Sequence, residues 1–340
     1  MENDPTGEQT ALARAQGGDE AAFASAVAAH ERSLFRHCYR MLGSGPDAED
    51  ALQETLFRAW RRLDSFDAVG AFGGWLYRIA TNVCLDALRS KRARVDPVSI
   101  GPPSDPGRMP GAPDPELFWV EPVGNASIAD LGDPQDENVK REDISLAFVA
   151  ALQRLAPRQR ACLLLHDVLG FNQAEVAEAL DISGPSVNSL LFRARQAVRP
   201  RGSAPPVTRS DPRLNDLLER YLRAWQLADI DEFVKLVAED VRFSMPPLKE
   251  WFDGRQAVTA FVEAAIFAAA RPYGVALRPG WCNEQPAFAT YEPGPDGTLC
   301  LSGLQVLEVR EIGGNPLVAE IISYRNAVLA ARCGFPEDFA

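Results

Sequence analysis

Between Asp96 and Asp136 nine residues are proline and five are glycine, and no packed helix or strand of ordinary length fits between such interruptions. The tract divides a chain of 340 residues, too long for one typical domain, into modules that each need a core of their own. A second break, PRGSAPPVTRSDP at 200–212, sets off the C-terminal third. The expected organisation is a helical module over 8–95, an acidic linker over 96–142, a second helical module over 143–201, a short linker over 202–212 and a C-terminal domain over 213–336.

Charge follows the same divisions. The formal net charge is −12, which by itself argues against a nucleic-acid partner. Its distribution argues otherwise: Lys plus Arg against Asp plus Glu is 12 to 13 in residues 1–95, 3 to 11 in 96–143, 7 to 4 in 144–201 and 13 to 19 in 202–340. The second helical module is therefore locally basic, and Arg89, Lys91, Arg92 and Arg94 form another positive cluster suited to phosphates.

The six cysteines, at 38, 84, 162, 282, 300 and 333, include no CxxC pair and no His/Cys grouping. They point to reduced thiols in a cytoplasm, not to zinc or a disulfide framework. The N-terminus MENDPTGEQT lacks a basic region and an apolar stretch, and no run approaches a membrane span. A cytoplasmic protein without membrane contact, cofactor or metal is expected.

In the first module, periodicity predicts one helix from about Asp19 to Leu42, a stop at Gly43-Ser44-Gly45-Pro46, a second helix to about Leu63 and a third from about Phe72 to Arg94. The second helix has an apolar stripe of Leu52, Leu56, Ala59, Trp60 and Leu63. Its other face sets Phe57 among Asp50, Gln53, Glu54 and Arg61, an aromatic in a charged stripe that suits a protein contact. On the third helix Tyr77, Arg78 and Asn82 stand apart from the core positions and lead to the basic cluster, the side-chain types that hold unpaired bases and their phosphates.

In the second module, NQAEVAEALDISGPSVNSLLFRARQAVR (172–199) spells a helix-turn-helix. Asn172 and Glu175 have capping-box spacing, and Ser183 is placed to cap a second helix with Val187, Leu190, Leu191, Ala194 and Val198 on its apolar side. The outward positions Ser186, Asn188, Ser189, Arg193 and Gln196 suit base edges and phosphates, and Arg193, Arg195 and Arg199 suit the flanking backbone.

Taken together, DAEDALQETLFRAWRRL, FGGWLYRIATNVCLDALR and LQRLAPRQRACLLLHDVLGFNQAEVAEALDISGPSVNSLLFRAR closely resemble the promoter-binding regions of bacterial extracytoplasmic-function sigma factors, over about 180 residues. The resemblance implies partners: core RNA polymerase, through its β′ clamp helices and β subunit, and promoter DNA. It assigns Asp50, Gln53, Glu54, Phe57 and Arg61 to the polymerase. Opening of the −10 element falls to Ser65, Phe66 and Asp67 in the following loop, with Arg78, Asn82, Arg89 and Arg92 on the next helix. Ser183, Ser186, Asn188, Ser189, Arg193 and Arg195 inherit the −35 element. Promoter elements about 20 base pairs apart lie roughly 65–70 Å from one another. A 48-residue linker can stretch to roughly 160 Å and so permits that spacing without setting it. With a net charge of −8 over residues 96–143 the linker is expected to thread the polymerase channel used by nucleic acid, a solvated spacer being the alternative. Phe118 and Trp119, in its apolar stretch LFWVEP, are expected to dock it, on the C-terminal domain.

The C-terminal third reads as helices at 213–228, 231–238 and 256–270 followed by strands near 275–282, 286–291, 299–310 and 317–325, an α+β domain with an antiparallel meander. LLERYLRAWQLADIDEFVKLVAEDVRFSMPP, WFDGRQAVTAFV and LEVREIGGNPLVAEIISYRN resemble the SnoaL-like, nuclear-transport-factor-like cone. The fold class is thus two all-α sigma domains, the second a helix-turn-helix, plus an α+β cone. The histidines are His30, His37 and His166, so the cone has no imidazole base. Asp229, Asp253 and Glu320 with Tyr221, Tyr291 or Tyr324 have acid–base chemistry but no spacing that singles out a pair, while Trp225, Trp251, Phe243 and Phe252 read as core or pocket wall. No catalytic residue is assigned. The expected role of the cone is regulation of the sigma modules, with a small molecule as candidate pocket ligand; the alternative is a SnoaL-type enzyme tethered to DNA-binding helices.

Overall fold

The computed structural model describes residues 5–66, 72–90, 93–128, 144–198, 207–270, 275–294 and 296–339. They form two compact units, one from the N-terminal residues through Arg94 together with the segment from Leu146 to Val198, the other from Val95–Ala126 and the C-terminal third. Among them no helix is long and apolar enough to cross a membrane.

The first unit begins with α1 (Pro5–Gln16), α2 (Glu20–Ala28), α3 (Glu31–Leu42), α4 (Gly45–Arg61) and α5 (Phe72–Ser90). The single helix expected over Asp19–Leu42 is two. A turn at His30 separates them, with the Ser33 hydroxyl donating to the His30 carbonyl at 2.8 Å. The break lets Phe23 of α2 pack on Trp60 of α4, ring centroids 5.1 Å apart, while α3 buries every residue from His37 to Leu42. Gly43 closes α3 at φ 70°, a left-handed position that glycine takes without strain, and Ser44 caps α4.

Residues 96–126 correct the expectation of an unpacked linker. After β1 (Arg94–Val95) come α6 (Pro97–Ile100), β2 (Phe118–Trp119) and α7 (Asn125–Ile128). Trp119, Val120 and Val123 are buried, and Val120 donates to the Val95 carbonyl at 3.0 Å. Prolines removed the donors for regular structure, but the apolar stretch supplies enough burial to hold an irregular strap on the C-terminal unit. Beyond Ile128 the linker lies outside the described residues until Ile144.

The first unit resumes with α8 (Leu146–Gln153), α9 (Pro157–Leu163) prolonged by a π-helical turn Leu164–Val168, α10 (Gln173–Leu180) and α11 (Gly184–Ala197). Helices α10 and α11 are the expected helix-turn-helix. The turn pivots on Asp181 at φ 50° and ψ 58°, a left-handed position aspartate tolerates.

The second unit carries α12 (Pro212–Gln226), α13 (Ile230–Leu236), β3 (Val237–Ser244), β4 (Trp251–Asp253), α14 (Arg255–Phe261) extended by Val262–Phe267 and Ala268–Ala270, β5 (Ala276–Cys282), β6 (Gln285–Pro293), β7 (Leu299–Ile312), β8 (Asn315–Tyr324) and α15 (Ala327–Arg332). The six strands run in the order β4-β3-β8-β7-β6-β5. The expected meander is only part of this sheet: β3 and β4 join it, and β3 pairs parallel with β8. They escape a periodicity reading because Glu239 and Asp240 interrupt β3 where its register shifts, between Val237 and Arg242. Inside the cone Tyr221, Trp225, Phe233, Phe243, Phe252, Phe267 and Phe288 are fully buried. Their rings touch, with centroids 5.2 Å apart for Tyr221–Phe288 and 5.3 Å for Trp225–Phe267, each ring contributing about 2–3 kcal/mol of burial.

Candidate nucleic-acid interface

The helix-turn-helix is built from the caps outward. Asn172 Oδ1 accepts from Ala174 N at 2.9 Å and Glu175 N at 3.1 Å, and Glu175 Oε2 accepts from Asn172 N at 2.7 Å, the reciprocal pair the spacing requires. Ser183 sits at the N-cap of α11, but its hydroxyl does not cap the backbone. It meets the Ser186 hydroxyl at 2.8 Å instead, while the backbone N–H groups of Ser186 and Val187 donate to the Ser183 carbonyl at 3.0 and 3.2 Å. Val187, Leu191 and Ala194 bury one side of α11, and Cys162 Sγ of α9 donates to the Val187 carbonyl at 3.7 Å. Opposite them Ser183, Ser186, Asn188, Ser189 and Arg193 are exposed.

Two further features of α11 refine the reading. Arg195 is exposed yet held by Asp167, at 2.6 and 2.8 Å, while His166 Nδ1 lies 2.7 Å from the same carboxylate. That arginine and His166 hold the Asp167 carboxyl below the usual carboxylate range. Phe192, absent from the sequence-based assignment, is 65% exposed one turn beyond Asn188. Its signal was legible as an apolar residue off the 187–191–194 stripe, masked by the short run Leu190-Leu191-Phe192.

On α4 the structure brings the assigned residues together. Asp50, Gln53, Phe57 and Arg61 are exposed, with the Arg61 guanidinium 5.6 Å from the Phe57 ring centroid. Glu54 is part-buried and accepts from Arg58 at 2.6 Å, and Arg58 also reaches Asp86 of α5 at 3.1 Å. Beside them lies an open cleft of about 320 Å³ lined by Asp47, Asp50, Glu54 and Asp86 among others. Arg58 lines it too and pairs with Glu54 and Asp86, and Asp47 pairs with Arg94 at 2.9 Å, so Asp50 beside Phe57 is the carboxylate best placed to meet a basic partner surface.

The residues assigned to the −10 element separate. Ser65 is exposed and donates to the Arg62 carbonyl. Phe66 is buried, its ring 5.4 Å from Phe72 and 5.2 Å from Trp75. A ring packed on two others meets a base only where this cluster opens. Asn82 and Arg89 are exposed on α5, Arg89 paired with Asp86 at 2.9 Å. Asp67 and Arg92 lie outside the described residues.

Arg78 meets the helix-turn-helix. It pairs with Glu178 of α10 at 2.5 Å, and this partner holds the exposed Glu178 carboxyl below its ordinary range. The same packing continues inward, where Gln153 Nε2 donates to the Arg40 carbonyl at 3.1 Å and Arg160 donates to the Met41 carbonyl. A Cβ on Gly43 would lie 2.9 Å from Gln153 Cδ, so this glycine permits the close approach.

The strap and cone account for the remaining assignments. Trp119 is buried and Phe118 is 45% exposed, so one ring of the expected docking pair is engaged. Strap backbone meets the cone at several points: Ser104 N donates to the Trp251 carbonyl at 2.7 Å, Trp251 Nε1 to the Gly101 carbonyl at 2.9 Å, Tyr324 OH to the Val120 carbonyl at 2.9 Å, and Lys249 pairs with Asp114 at 2.6 Å. The candidate acid–base groups are spoken for. Asp229 caps α13, Tyr221 OH donates to Gln305 at 2.9 Å, and Tyr291 OH donates to the Pro336 carbonyl at 2.8 Å. Asp253 lies 3.5 Å from Arg242. Glu320 has its pKa pushed up to about 8 by burial and by the nearby carboxylates of Glu308 and Asp96. Among the described residues no group of three His, Cys, Asp or Glu side chains is placed to hold a metal.

Comparison with known proteins adds independent findings. Residues 26–94 match the model of sigma-70 region 2, residues 145–198 that of sigma-70 region 4, and residues 218–311 that of the SnoaL-like domain. The chain is 39% identical over 318 residues to the ECF RNA polymerase sigma factor SigG of Mycobacterium tuberculosis (strain ATCC 25618 / H37Rv), a match covering 93% of this chain and 84% of that one. With SigJ of the same organism identity is 34% over 215 residues, covering 62% and 61%. The crystal structure of Mycobacterium tuberculosis extracytoplasmic function sigma factor SigJ is similar in fold, with a TM-score of 0.58 at 24% identity, covering 90% of this chain and 98% of that one.

Proposed function

The chain belongs to the extracytoplasmic-function family of RNA polymerase sigma factors and directs promoter-specific transcription initiation, and from that premise we propose a division of labour among its surfaces. RNA polymerase and promoter DNA are its partners. In this reading the Asp50, Gln53, Glu54, Phe57 and Arg61 face of α4 docks on the β′ clamp helices. Ser65, Arg78, Asn82 and Arg89 serve the −10 element, and α11 reads the −35 element in the major groove. The protein acts in the cytoplasm, where polymerase works.

The observation that carries the regulatory part is the strap. With residues 95–126 held by the C-terminal unit, the chain between Ala126 and Leu146 reaches at most about 70 Å. The whole linker reaches roughly 160 Å, so a docked strap, which adds only its own fixed span, leaves much less slack for elements roughly 65–70 Å apart. Residues held on the cone are also withheld from a polymerase channel. The Arg78–Glu178 pair adds a second restraint, since one residue meant for −10 DNA is occupied by the −35 module. The C-terminal domain thus regulates by keeping the linker, and initiation requires its release.

The test is run-off transcription from a mapped promoter with core polymerase, comparing the full chain with a chain ending at Arg201. Promoter-specific transcripts are expected from both, with output from the shortened chain higher by at least about fivefold, the scale of a modest coupling between sites. Equal output and equal polymerase affinity would sink the regulatory claim; absence of specific transcripts from both would sink the assignment of the surfaces.

Phe192 adds a second expected result. An exposed phenylalanine on a recognition helix suits the methyl group of a thymine. Replacing thymine by uracil at the contacted −35 position should weaken the wild-type chain about fourfold, the worth of one buried methyl group. The Phe192→Ala chain should bind both promoters alike; discrimination that survives the substitution excludes this contact.

A further inference from the structure

Cys282 ends β5 and Cys333 follows α15, and both lie against Gly124 of the strap. Cys282 is buried and its thiol neighbours that of Cys333. Cys333 is part-exposed and donates to the Pro122 carbonyl at 3.7 Å. Gly124 lies against both residues, bridging the Cys282 backbone. A Cβ on Gly124 would stand 2.7 Å from the Cys333 carbonyl oxygen and 3.0 Å from its Cα. The neighbouring Asn283 fixes the same stretch, accepting from Val123 N at 2.9 Å and donating from its own backbone to the Val123 carbonyl at 3.1 Å. Cys38 and Cys84, a second close pair, are both wholly buried in the helical unit and out of reach of a solute oxidant.

We propose that Cys282 and Cys333 form a redox site, converted by a peroxide to an intramolecular disulfide that loosens the strap. Cys333 is the less buried of the two and so the first target of a small oxidant. Its thiolate attacks one peroxide oxygen, the O–O bond breaks, and the products are a sulfenic acid on Cys333 and hydroxide, which takes the thiol proton to become water. The Cys282 sulfur then attacks Cys333 Sγ, the S–O bond breaks, and the departing hydroxide takes the Cys282 proton as a second water. Two thiols have lost two electrons and the peroxide has gained them. Contact with Cys333 and burial hold the Cys282 thiol well above the ordinary cysteine range, which favours Cys333 as the first target because the thiolate is the reactive form. Transient disulfides of this kind are compatible with a reducing cytoplasm.

The coupling to the strap is steric. A disulfide draws the sulfurs to about 2.05 Å, and Cys333 then has no hydrogen to donate to Pro122. Gly124 has no room for even one carbon against the Cys333 backbone, so a shift of that backbone as the sulfurs close up is passed on to residues 122–124. The proposal goes beyond the regulatory reading above, and its readouts are covalent and local rather than transcriptional.

The full chain is treated with hydrogen peroxide, alkylated, digested without reductant and analysed by mass spectrometry, with amide exchange followed in parallel. The expected product is a Cys282–Cys333 linked peptide two hydrogens lighter than its parts, with the exposed Cys300 alkylated. Exchange at Val120 and Val123 should quicken at least about tenfold and recover with dithiothreitol. Cys333→Ser, at a part-exposed position, should show neither change. Oxidation of Cys333 to sulfinic acid without a link to Cys282, or a link that leaves exchange at Val120 and Val123 unaltered, overturns the proposal.

Discussion

Replacing Phe57 by alanine is expected to weaken binding to core RNA polymerase by roughly 30-fold, the effect of losing an aromatic anchor worth about 2 kcal/mol. The ring is 55% exposed and stands beside Arg61, so removing it opens no cavity in the core. Thermal stability should accordingly stay within about 2 °C of the parent, as for surface substitutions generally. The cleft carboxylates give a second arm. Asp50→Arg reverses one of the four carboxylate charges lining it and should lower affinity more at low salt than at high salt, because exposed charge is screened. Fluorescence anisotropy with labelled sigma factor and core enzyme measures both. Parental affinity in Phe57→Ala and Asp50→Arg together would remove the α4 face from the polymerase contact.

Arg160→Met is expected to destabilise the helical unit by about 3 kcal/mol or more, the cost of leaving several buried carbonyls without a donor. The guanidinium is almost fully buried and donates to the carbonyls of Leu152 (2.9 Å), Gln153 (3.1 Å), Leu155 (3.3 Å) and Met41, and to Gln153 Oε1 at 2.5 Å. Desolvation lowers its pKa to about 10, so it stays charged at neutral pH. Methionine fills much of the volume but donates nothing. For a unit of this size the melting temperature should fall by about 6–12 °C. Arg160→Lys should fall between, since one ammonium cannot serve five acceptors in that geometry. Calorimetry checks both, and a melting temperature within about 1 °C of the parent for Arg160→Met would show that these bonds carry no net stability. Only the Met41 bond crosses between the two helical modules; the other four join residues of α8, α9 and the turn between them. Separation of the modules would therefore sacrifice one bond of the five.

Legibility followed the range of each interaction. The capping box at Asn172 and Glu175, the buried face Val187, Leu191 and Ala194, and the exposed Asp50–Phe57–Arg61 face were readable because all are fixed within a few turns of helix. At Phe66 spacing did not announce the packing partners, Phe72 and Trp75. The C-terminal cone was legible as a fold but not as a sheet order, because the parallel pairing of β3 with β8 joins residues about 80 positions apart.

The amino-acid sequence by itself determined which segments are helices, where the helix-turn-helix lies, which faces carry charge and which family the chain belongs to. Those properties rest on local spacing and composition, which every backbone carries with it. Only the tertiary structure decided that the Pro/Gly tract is partly a strap, that Arg78 is held by Glu178, that the cone is filled with rings, and that Cys282 meets Cys333. Each of these depends on which distant surfaces exclude water together, a matter of long-range packing that sequence periodicity does not encode.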